Sequence, residues 1–205
     1  MKIVCLGDSL TEGVAVDVRN TWPYMMKQST NCEHDIINKG IRGDTTFGMI
    51  GRLHEDVLSE NPNCVILCGG LNDCWFDTPA NIIVSNIYAI VKRLEFNGIK
   101  TVIGIPPVVF SKDRLEGEYP SAPLGGWEKL DNLVSIYREA LIAICEEYEY
   151  SYFDMQDMFN NHSGNAEDLI GDDLIHPNEE GNRYLSEIIY EELIKIYKYN
   201  KERVF

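Results

Sequence analysis

Five short runs of residues, each bounded by glycine, proline or polar side chains, have the pattern of strands in a buried sheet. They comprise residues 3–6, 34–38, 64–68, 101–105 and 151–154. The first, third and fourth of these runs are rich in β-branched and other apolar side chains. They lack the alternation of apolar and polar residues that is typical of a strand with one solvent-exposed face. This pattern favours a parallel sheet that is covered on both sides.

Apolar residues recur at helical spacing between these runs. Helices are predicted over residues 21–28, around 49–58, from Pro79 to Asn97, over 127–148 and after Asn178. Alternation of strands and helices implies right-handed crossovers between parallel strands. We therefore predict an α/β fold, a three-layer α/β/α sandwich with a flavodoxin-like five-stranded parallel sheet.

The order of the strands decides which loops meet. We predict the order 2-1-3-4-5, which places the carboxyl ends of the first three strands side by side. Ser9, Gly43 and Asn72 lie in polar loops that follow these strands. They are expected to meet at the topological switch point, where open α/β sheets bind ligands.

The length and composition fit one domain that spans residues 1–205. The chain has 44% hydrophobic residues and contains no linker-like or repeated segment, so it can bury a sizeable core. Residues 108–126 show no clear periodicity of apolar residues. A connection of that length is unusual in a compact domain and is typical of a lid.

Charge and apolar content exclude several classes of partner. The formal net charge is −15, from 18 Lys and Arg against 33 Asp and Glu, which disfavours nucleic acid and anionic lipid as partners. No apolar run approaches the ~20 residues that span a bilayer, so stable membrane insertion is not expected. The first apolar stretch is too short for a signal sequence and leads directly into Ser9, which predicts a cytoplasmic protein.

The chain has six cysteines, and their positions favour a structural role. Cys5, Cys64 and Cys68 lie inside predicted buried strands, where a reduced thiol behaves as a small apolar group. Cys64, Cys68 and Cys74 lack the paired spacing of a zinc site. We expect reduced thiols and no metal there.

Ser9 lies in Gly7-Asp8-Ser9-Leu10-Thr11-Glu12-Gly13, where the first strand gives way to a helix. A serine just past the carboxyl end of a buried strand is in position to act as a nucleophile. Taken alone, the heptapeptide also fits a helix cap or the phosphate-binding loop of a flavodoxin-like protein. Residues elsewhere in the chain decide between these alternatives.

A serine nucleophile needs a base within hydrogen-bond reach, and the base needs an acceptor that orients it. His176 follows Asp173 by three residues in a loop that ends at Pro177, so one short segment supplies both groups. The other histidines are more simply surface residues: His34, His54 and His162.

The same segment allows a metal-binding alternative. Asp172, Asp173 and His176 are possible ligands. No second cluster of Asp, Glu or His with ligand spacing stands beside them, so this alternative is the weaker one.

Four blocks of the sequence resemble the SGNH, or GDSL, hydrolase family, in the family's order and over the whole chain. They are Gly7-Asp8-Ser9-Leu10, residues 38–46 (NKGIRGDTT), Gly70-Leu71-Asn72-Asp73 and Asp173-Leu174-Ile175-His176. One such tetrapeptide is a weak indication, whereas four in the right order and separation are a strong one. None of these positions departs from the family's pattern.

The resemblance implies hydrolysis of carboxylic esters through an acyl-enzyme, without a cofactor. It implies a catalytic triad of Ser9, His176 and Asp173. It also implies an oxyanion hole formed by the amides of Ser9 and Gly43 and the side-chain amide of Asn72. Glycine at position 43 allows close approach of the carbonyl, and the backbone amides of its turn are expected to be unpaired.

The expected partner is a small-molecule ester. The resemblance favours a lysophospholipase-like esterase, with a carbohydrate acetylesterase or an acyl thioesterase as alternatives; acyl chain, alcohol and oligomeric state are not specified. Trp75-Phe76 and residues 108–110 either line an acyl pocket or pack loops onto the body. The alternative from another class, a non-catalytic phosphate or nucleotide binder, has no use for Asn72, Asp173 and His176 together.

Overall fold

The computed structural model describes residues 1–30, 33–108 and 122–201. Within these ranges, five strands form one parallel sheet in the order β2-β1-β3-β4-β5. The strands are β1 (Lys2–Gly7), β2 (Asp35–Gly40), β3 (Cys64–Cys68), β4 (Lys100–Ile105) and β5 (Ser151–Asp154). The predicted fold class and strand order are confirmed.

Helices cover both faces of the sheet. The described helices are α1 (Ser9–Glu12), α2 (Trp22–Ser29), α3 (Thr46–Asp56), α4 (Leu71–Trp75), α5 (Ala80–Phe96), α6 (Trp127–Glu147), α7 (Met155–Asn160) and α8 (Glu179–Lys201). Helices α2 and α8 pack against each other, and α5 packs between α3 and α6. Because right-handed crossovers on the two sides of β1 lead to opposite faces, these two groups form the outer layers of an α/β/α sandwich.

Burial follows the hydrophobic pattern of the sequence. The residues of β3 are at most 2% exposed, and Ile3, Val4, Cys5 and Leu6 of β1 are fully buried. Removal of this apolar surface from water is the main force that holds the helices on the sheet. The cysteines of the strands are free thiols in this core, as predicted, and burial raises the pKa of Cys64 to about 12.

The strand registers bring the carboxyl ends of β1, β2 and β3 to one level. Gly7, the last residue of β1, pairs with Gly40 on one side and with Cys68 on the other. A Cβ atom at Gly40 would lie 2.1 Å from the backbone nitrogen of Glu12. Glycine is therefore required there, because α1 crosses directly over the end of β2.

Two short helices at this edge differ from the prediction. The polar loop predicted around Asn72 contains α4, and α7 follows β5 without a connection. Helices of five and six residues are too short to show a helical period in the sequence. In both cases the strand passes almost directly into a helix.

The predicted lid at residues 108–126 lies largely outside the described residues, which exclude 109–121. At its described end, Leu124 donates a backbone hydrogen bond of 2.9 Å to the carbonyl of Trp75. None of the helices within the described ranges combines the length and apolar content needed to cross a bilayer.

Candidate active site

Ser9 begins α1 at the carboxyl end of β1. Asp8 caps this helix, because its Oδ1 accepts a hydrogen bond of 3.0 Å from the amide of Leu10 and its carbonyl accepts from two further amides of the turn. The indole N–H of the buried Trp22 donates to the carbonyl of Leu10 at 2.9 Å. Ser9 therefore lies on a backbone that buried groups hold in place.

Ser9, His176 and Asp173 form a continuous chain of hydrogen bonds. His176 Nε2 lies 2.8 Å from Ser9 Oγ, and His176 Nδ1 lies 2.6 Å from Asp173 Oδ2. Asp173 Oδ1 accepts from the backbone amides of Ile175 and His176 at 3.0 and 2.9 Å. The structure thus brings the three predicted triad residues together.

The loop that carries Asp173 and His176 is closed at its base. Ile170 and Pro177 form an isolated antiparallel bridge, and the amide of Gly171 donates to the carbonyl of His176 at 2.8 Å. Leu174, between the acid and the base, has a φ of 58° in the left-handed region, which costs about 1–2 kcal/mol. The turn therefore stores some strain between the two side chains that it orients.

The electrostatic state of Asp173 fixes the roles of the imidazole nitrogens. Burial raises the pKa of Asp173, but hydrogen bonds from the ring and amide of His176 and from the amide of Ile175 outweigh it, and the pKa is lowered to about 2. The carboxylate is thus ionised at neutral pH and accepts a hydrogen bond from the Nδ1–H group. In a neutral His176 this leaves Nε2 free to accept the Ser9 hydroxyl proton.

Gly43 lies in the turn between β2 and α3 with a φ of 77°, a left-handed conformation that favours glycine. A Cβ atom there would meet nothing within 4 Å, so the backbone conformation, and not a close protein neighbour, accounts for the glycine. The prediction that the amides of this turn are unpaired is wrong for most of them. Amides with an acceptor are those of Ile41, Arg42, Asp44 and Thr45.

The amide of Gly43 is the exception within this turn, since it has no acceptor among the described residues, and the amide of Ser9 at the start of α1 has none there either. Ser9 is the first residue of α1, where the N–H groups of a helix lack partners within the helix. Both residues border the same cavity, described below. Two unpaired donors at a cavity wall are suited to binding an oxyanion.

Asn72 lies on α4 opposite the turn of Gly43. Its Nδ2 donates a hydrogen bond of 2.9 Å to the carbonyl of Asp44, which occupies one of the two amide hydrogens and leaves the other for a ligand. The next residue, Asp73, is fully buried and accepts hydrogen bonds from Thr46 Oγ1 at 2.6 Å and Thr46 N at 2.8 Å. Helix α4 is thereby fastened to the start of α3.

Asp8 places a second carboxyl group beside His176. Its side chain is 1% exposed, and Oδ2 has no hydrogen-bond partner among the described residues. Burial raises the pKa of Asp8 to about 7, against the opposing effects of the Leu10 amide and of nearby His176. The site therefore contains one carboxyl that is ionised at neutral pH and one that changes charge near it.

The predicted site residues open into one cavity of about 440 Å³. Ser9, Gly43, Asn72 and His176 line it, whereas Asp173 contacts the far side of the His176 ring. The apolar part of the wall consists of Val14, Leu71, Trp75, Phe76 and Ile175.

Of the two predicted acyl-pocket segments, Trp75-Phe76 borders this cavity. Val108 packs against the core, and residues 109–110 lie outside the described part of the chain. A wider cavity of about 640 Å³ lies at the amino ends of β4 and β5, bordered by Lys100 and Ser151. It contains none of the predicted site residues.

The metal-binding alternative finds no cluster in the described residues. Among them, no group of three His, Cys, Asp or Glu side chains is arranged to hold a metal ion. Asp172 is exposed, whereas the carboxylate of Asp173 is directed to His176.

Sequence reasoning assigned no role to Asp8 or Asp73. Each is a buried carboxyl next to a predicted site residue, and each accepts a hydrogen bond from a backbone amide, that of Leu10 for Asp8 and that of Thr46 for Asp73. The available signal was their place beside Ser9 and Asn72 in two of the four blocks.

Replacement of Asp8 by Asn should change how stability depends on pH. Because the folded pKa of about 7 exceeds the ordinary value of 3.8, the folded chain retains a proton that the unfolded chain has released between these pH values. The Asp8 carboxyl therefore lowers the free energy of unfolding as pH rises from about 4 to about 7, by at most about 4 kcal/mol.

Asp8→Asn should remove this contribution to the pH dependence of the free energy of unfolding. Urea unfolding of both proteins at several pH values measures that dependence. Parallel stability curves for the two proteins would contradict the raised pKa.

Known proteins resemble this chain over most of its length. The model of the GDSL-like lipase/acylhydrolase family matches residues 5–184. The arylesterase of Vibrio mimicus is 25% identical over 198 residues, which cover 95% of this chain and 88% of that protein. The acetylxylan esterase of Geobacillus stearothermophilus is 24% identical over 165 residues, or 77% of this chain and 71% of that protein.

Among solved structures, the psychrotrophic esterase EstA from Pseudoalteromonas sp. has the same fold, with a TM-score of 0.73 at 19% identity over 96% of this chain and 98% of that one. The family match covers most of the chain and includes all four blocks in full. The chain therefore belongs to the GDSL-like lipase/acylhydrolase family, and it is a carboxylic ester hydrolase of that family.

Proposed function

We propose that the enzyme cleaves carboxylic esters through a covalent acyl-enzyme formed on Ser9. The observation that carries this proposal is the hydrogen-bond chain from Asp173 through His176 to Ser9, with distances of 2.6 and 2.8 Å. In this arrangement His176 is the general base, and Asp173 holds the imidazole in the tautomer that accepts the hydroxyl proton.

The reaction follows from these roles. Ser9 Oγ attacks the ester carbonyl while its proton passes to His176 Nε2, and the imidazolium that forms is stabilised by the ionised Asp173. Collapse of the tetrahedral intermediate breaks the bond to the alcohol, which takes the proton from His176. Water then attacks the acyl-enzyme and gives a proton to His176. Collapse of this second intermediate breaks the bond to Ser9 Oγ, which takes that proton back as the acid product leaves.

The negative charge that develops on the carbonyl oxygen needs donors fixed in advance. The unpaired amides of Ser9 and Gly43 and the second Nδ2 hydrogen of Asn72 are suited to this role. Donors of this kind act mainly in the transition state, and one of them is typically worth about 3–4 kcal/mol.

The wall of the cavity supports an apolar substrate group. Trp75, Phe76 and Ile175 present carbon surface close to Ser9 and His176, whereas a sugar ring needs polar partners on several sides. We therefore assign to this enzyme esters with an aryl or alkyl group. The name of the arylesterase relative supports the aryl esters of this class. The acetylxylan esterase relative makes acetylated sugars the second candidate.

Substitutions in the triad should reduce turnover without additive effects. Ser9→Ala should lower kcat by about 10⁶-fold and His176→Ala nearly as much, whereas Asp173→Ala should lower it by about 10⁴-fold because the base survives with poorer orientation. The double variant Ser9→Ala/His176→Ala should be no slower than either single variant.

Asp172→Ala is the matched control, since it removes the exposed neighbouring carboxylate and should leave kcat unchanged. Multiplicative losses in the double variant would show that Ser9 and His176 do not act as one unit.

Substitution of Asn72 should lower kcat and leave KM nearly unchanged. Because the carboxamide binds the developing oxyanion more strongly than the ground-state carbonyl, Asn72→Ala should lower kcat by about 10²–10³-fold. Asn72→Asp should be at least as damaging, because a carboxylate accepts and does not donate.

Asn97→Ala, at the end of α5, is the control for loss of a turn-forming asparagine. Kinetics are measured together with melting temperatures. An unchanged kcat in folded Asn72→Ala would contradict the assigned role.

A substrate panel tests the proposed class. Nitrophenyl acetate, butyrate and octanoate, an acetylated xylooligosaccharide and an acyl thioester are compared by kcat/KM, and the aryl esters should give the highest values. Phe76→Ala should lower kcat/KM for the preferred ester by about tenfold. Phe96→Ala removes an 87% exposed side chain on α5 and should not. A higher kcat/KM for the acetylated sugar than for every aryl ester would favour the second candidate.

A further inference from the structure

Arg52, on the inner side of α3, has four hydrogen-bond acceptors. Its Nε donates to Asp44 Oδ2 at 2.7 Å, and its Nη2 donates to the carbonyl of Gly7 at 2.9 Å. Its Nη1 donates to the carbonyl of Lys39 at 2.8 Å and to Asp56 Oδ2 at 3.0 Å. One guanidinium thus contacts the ends of β1 and β2 and the turn that follows β2.

These acceptors lie on both sides of the proposed oxyanion hole. Gly7 is two residues before Ser9, and Asp44 directly follows Gly43. The carbonyl of Asp44 accepts the hydrogen bond from Asn72 Nδ2 at 2.9 Å. Arg52 therefore links the backbone of the nucleophile to the turn that carries one donor and contacts the other.

The arrangement is buried and matches the chemistry of arginine. The side chains of Arg52 and Asp44 are only 15% and 12% exposed, so their ion pair is largely shielded from solvent. A guanidinium directs several N–H groups in one plane at fixed angles, which suits a carboxylate and carbonyl groups on different segments. A lysine ammonium carries the same charge but has no such planar fork.

Gly48 leaves space for the ion pair of Arg52 and Asp44. A Cβ atom at Gly48, one turn before Arg52 on α3, would lie 1.9 Å from Asp44 Oδ1. Asp44 Oδ1 also accepts a hydrogen bond of 2.9 Å from the amide of Thr45. Both carboxylate oxygens of Asp44 are thus engaged, and the residue after Gly43 is held from two directions.

We infer that Arg52 is a positioning residue of the oxyanion hole, which holds the Gly43 amide and the Asn72 side chain at a fixed distance from Ser9 through Asp44 and Gly7. This inference rests on the proposed roles of Gly43 and Asn72. Arg52 acts through these groups and does not border the cavity that contains Ser9. Its effect is therefore on the transition state, since small displacements of fixed donors are costly there.

The principal variant is Arg52→Lys, which keeps the charge and removes the planar fork. It should lower kcat by about 10- to 100-fold with KM within about twofold of the parent. The rate of inactivation by a fluorophosphonate should fall in parallel, because that reaction also places a negative oxygen in the hole. Asp44→Asn is a milder second variant and should show the same split between kcat and KM.

Arg138→Lys is the matched control. Arg138 is also a buried guanidinium, and it donates to one carboxylate, Asp154, and to the backbone carbonyl of Pro106. It contacts no group of the proposed hole. We expect Arg138→Lys to lower the melting temperature and to leave kcat and the fluorophosphonate rate within about twofold of the parent.

The double variant Asp44→Asn/Arg52→Lys completes a cycle, and its kcat should be no lower than that of the worse single variant. The inference is overturned if the loss of kcat per degree of lost melting temperature is the same in Arg52→Lys and in Arg138→Lys. It is also overturned if folded Arg52→Lys retains the parent's kcat.

The Asn72→Ala variant separates this inference from the proposed function. A normal kcat in Asn72→Ala would refute the assignment of the oxyanion hole, and the inference about Arg52 would fail with it. A large loss of kcat in Asn72→Ala, with no loss in Arg52→Lys, would support the assigned oxyanion hole and refute only the positioning role of Arg52.

Discussion

Parallel pairing of β1 with both of its neighbours is the constraint on which the site depends. Gly7 stands level with Gly40 and with Cys68, so the segments that carry Ser9, Gly43 and Asn72 leave the sheet side by side. A shift of one residue in either pairing would move a segment by about 3.3 Å, which exceeds the tolerance of a catalytic hydrogen bond. The contacts of Arg52 to Gly7 and Asp44 and of Asn72 to Asp44 act on segments that the sheet has already aligned.

Three carboxyl groups near the candidate site have different environments. Burial acts on each, but Asp173 receives several hydrogen bonds and has a lowered pKa, whereas burial raises the pKa of Asp8 and of Asp73. The carboxylate with the lowered pKa is thus the one that hydrogen-bonds to His176, while Asp8 and Asp73 accept hydrogen bonds from backbone amides of α1 and α3. Environments that separate pKa values also separate roles.

Sequence patterns predicted the strands, their order and the residues that converge on the cavity, because buried parallel strands and short polar blocks leave local signals. The amide partners in the Gly43 turn were not predictable, since they depend on carbonyls and side chains brought there by the fold. The positioning role of Arg52 was not predictable for the same reason. Two of its four acceptors are backbone carbonyls, which have no signature in the sequence, and its charged neighbours on α3 are typical of a solvated helix face.

Identification of the residue that becomes acylated tests the central claim most directly. The enzyme is treated with a fluorophosphonate to partial and then complete loss of esterase activity, and the adduct is located by mass spectrometry of the intact chain and its peptides. The account predicts one adduct per chain, located on Ser9, in proportion to the activity lost, and none in Ser9→Ala. Complete inactivation with the adduct on another residue, or full activity in a chain labelled at Ser9, would contradict it.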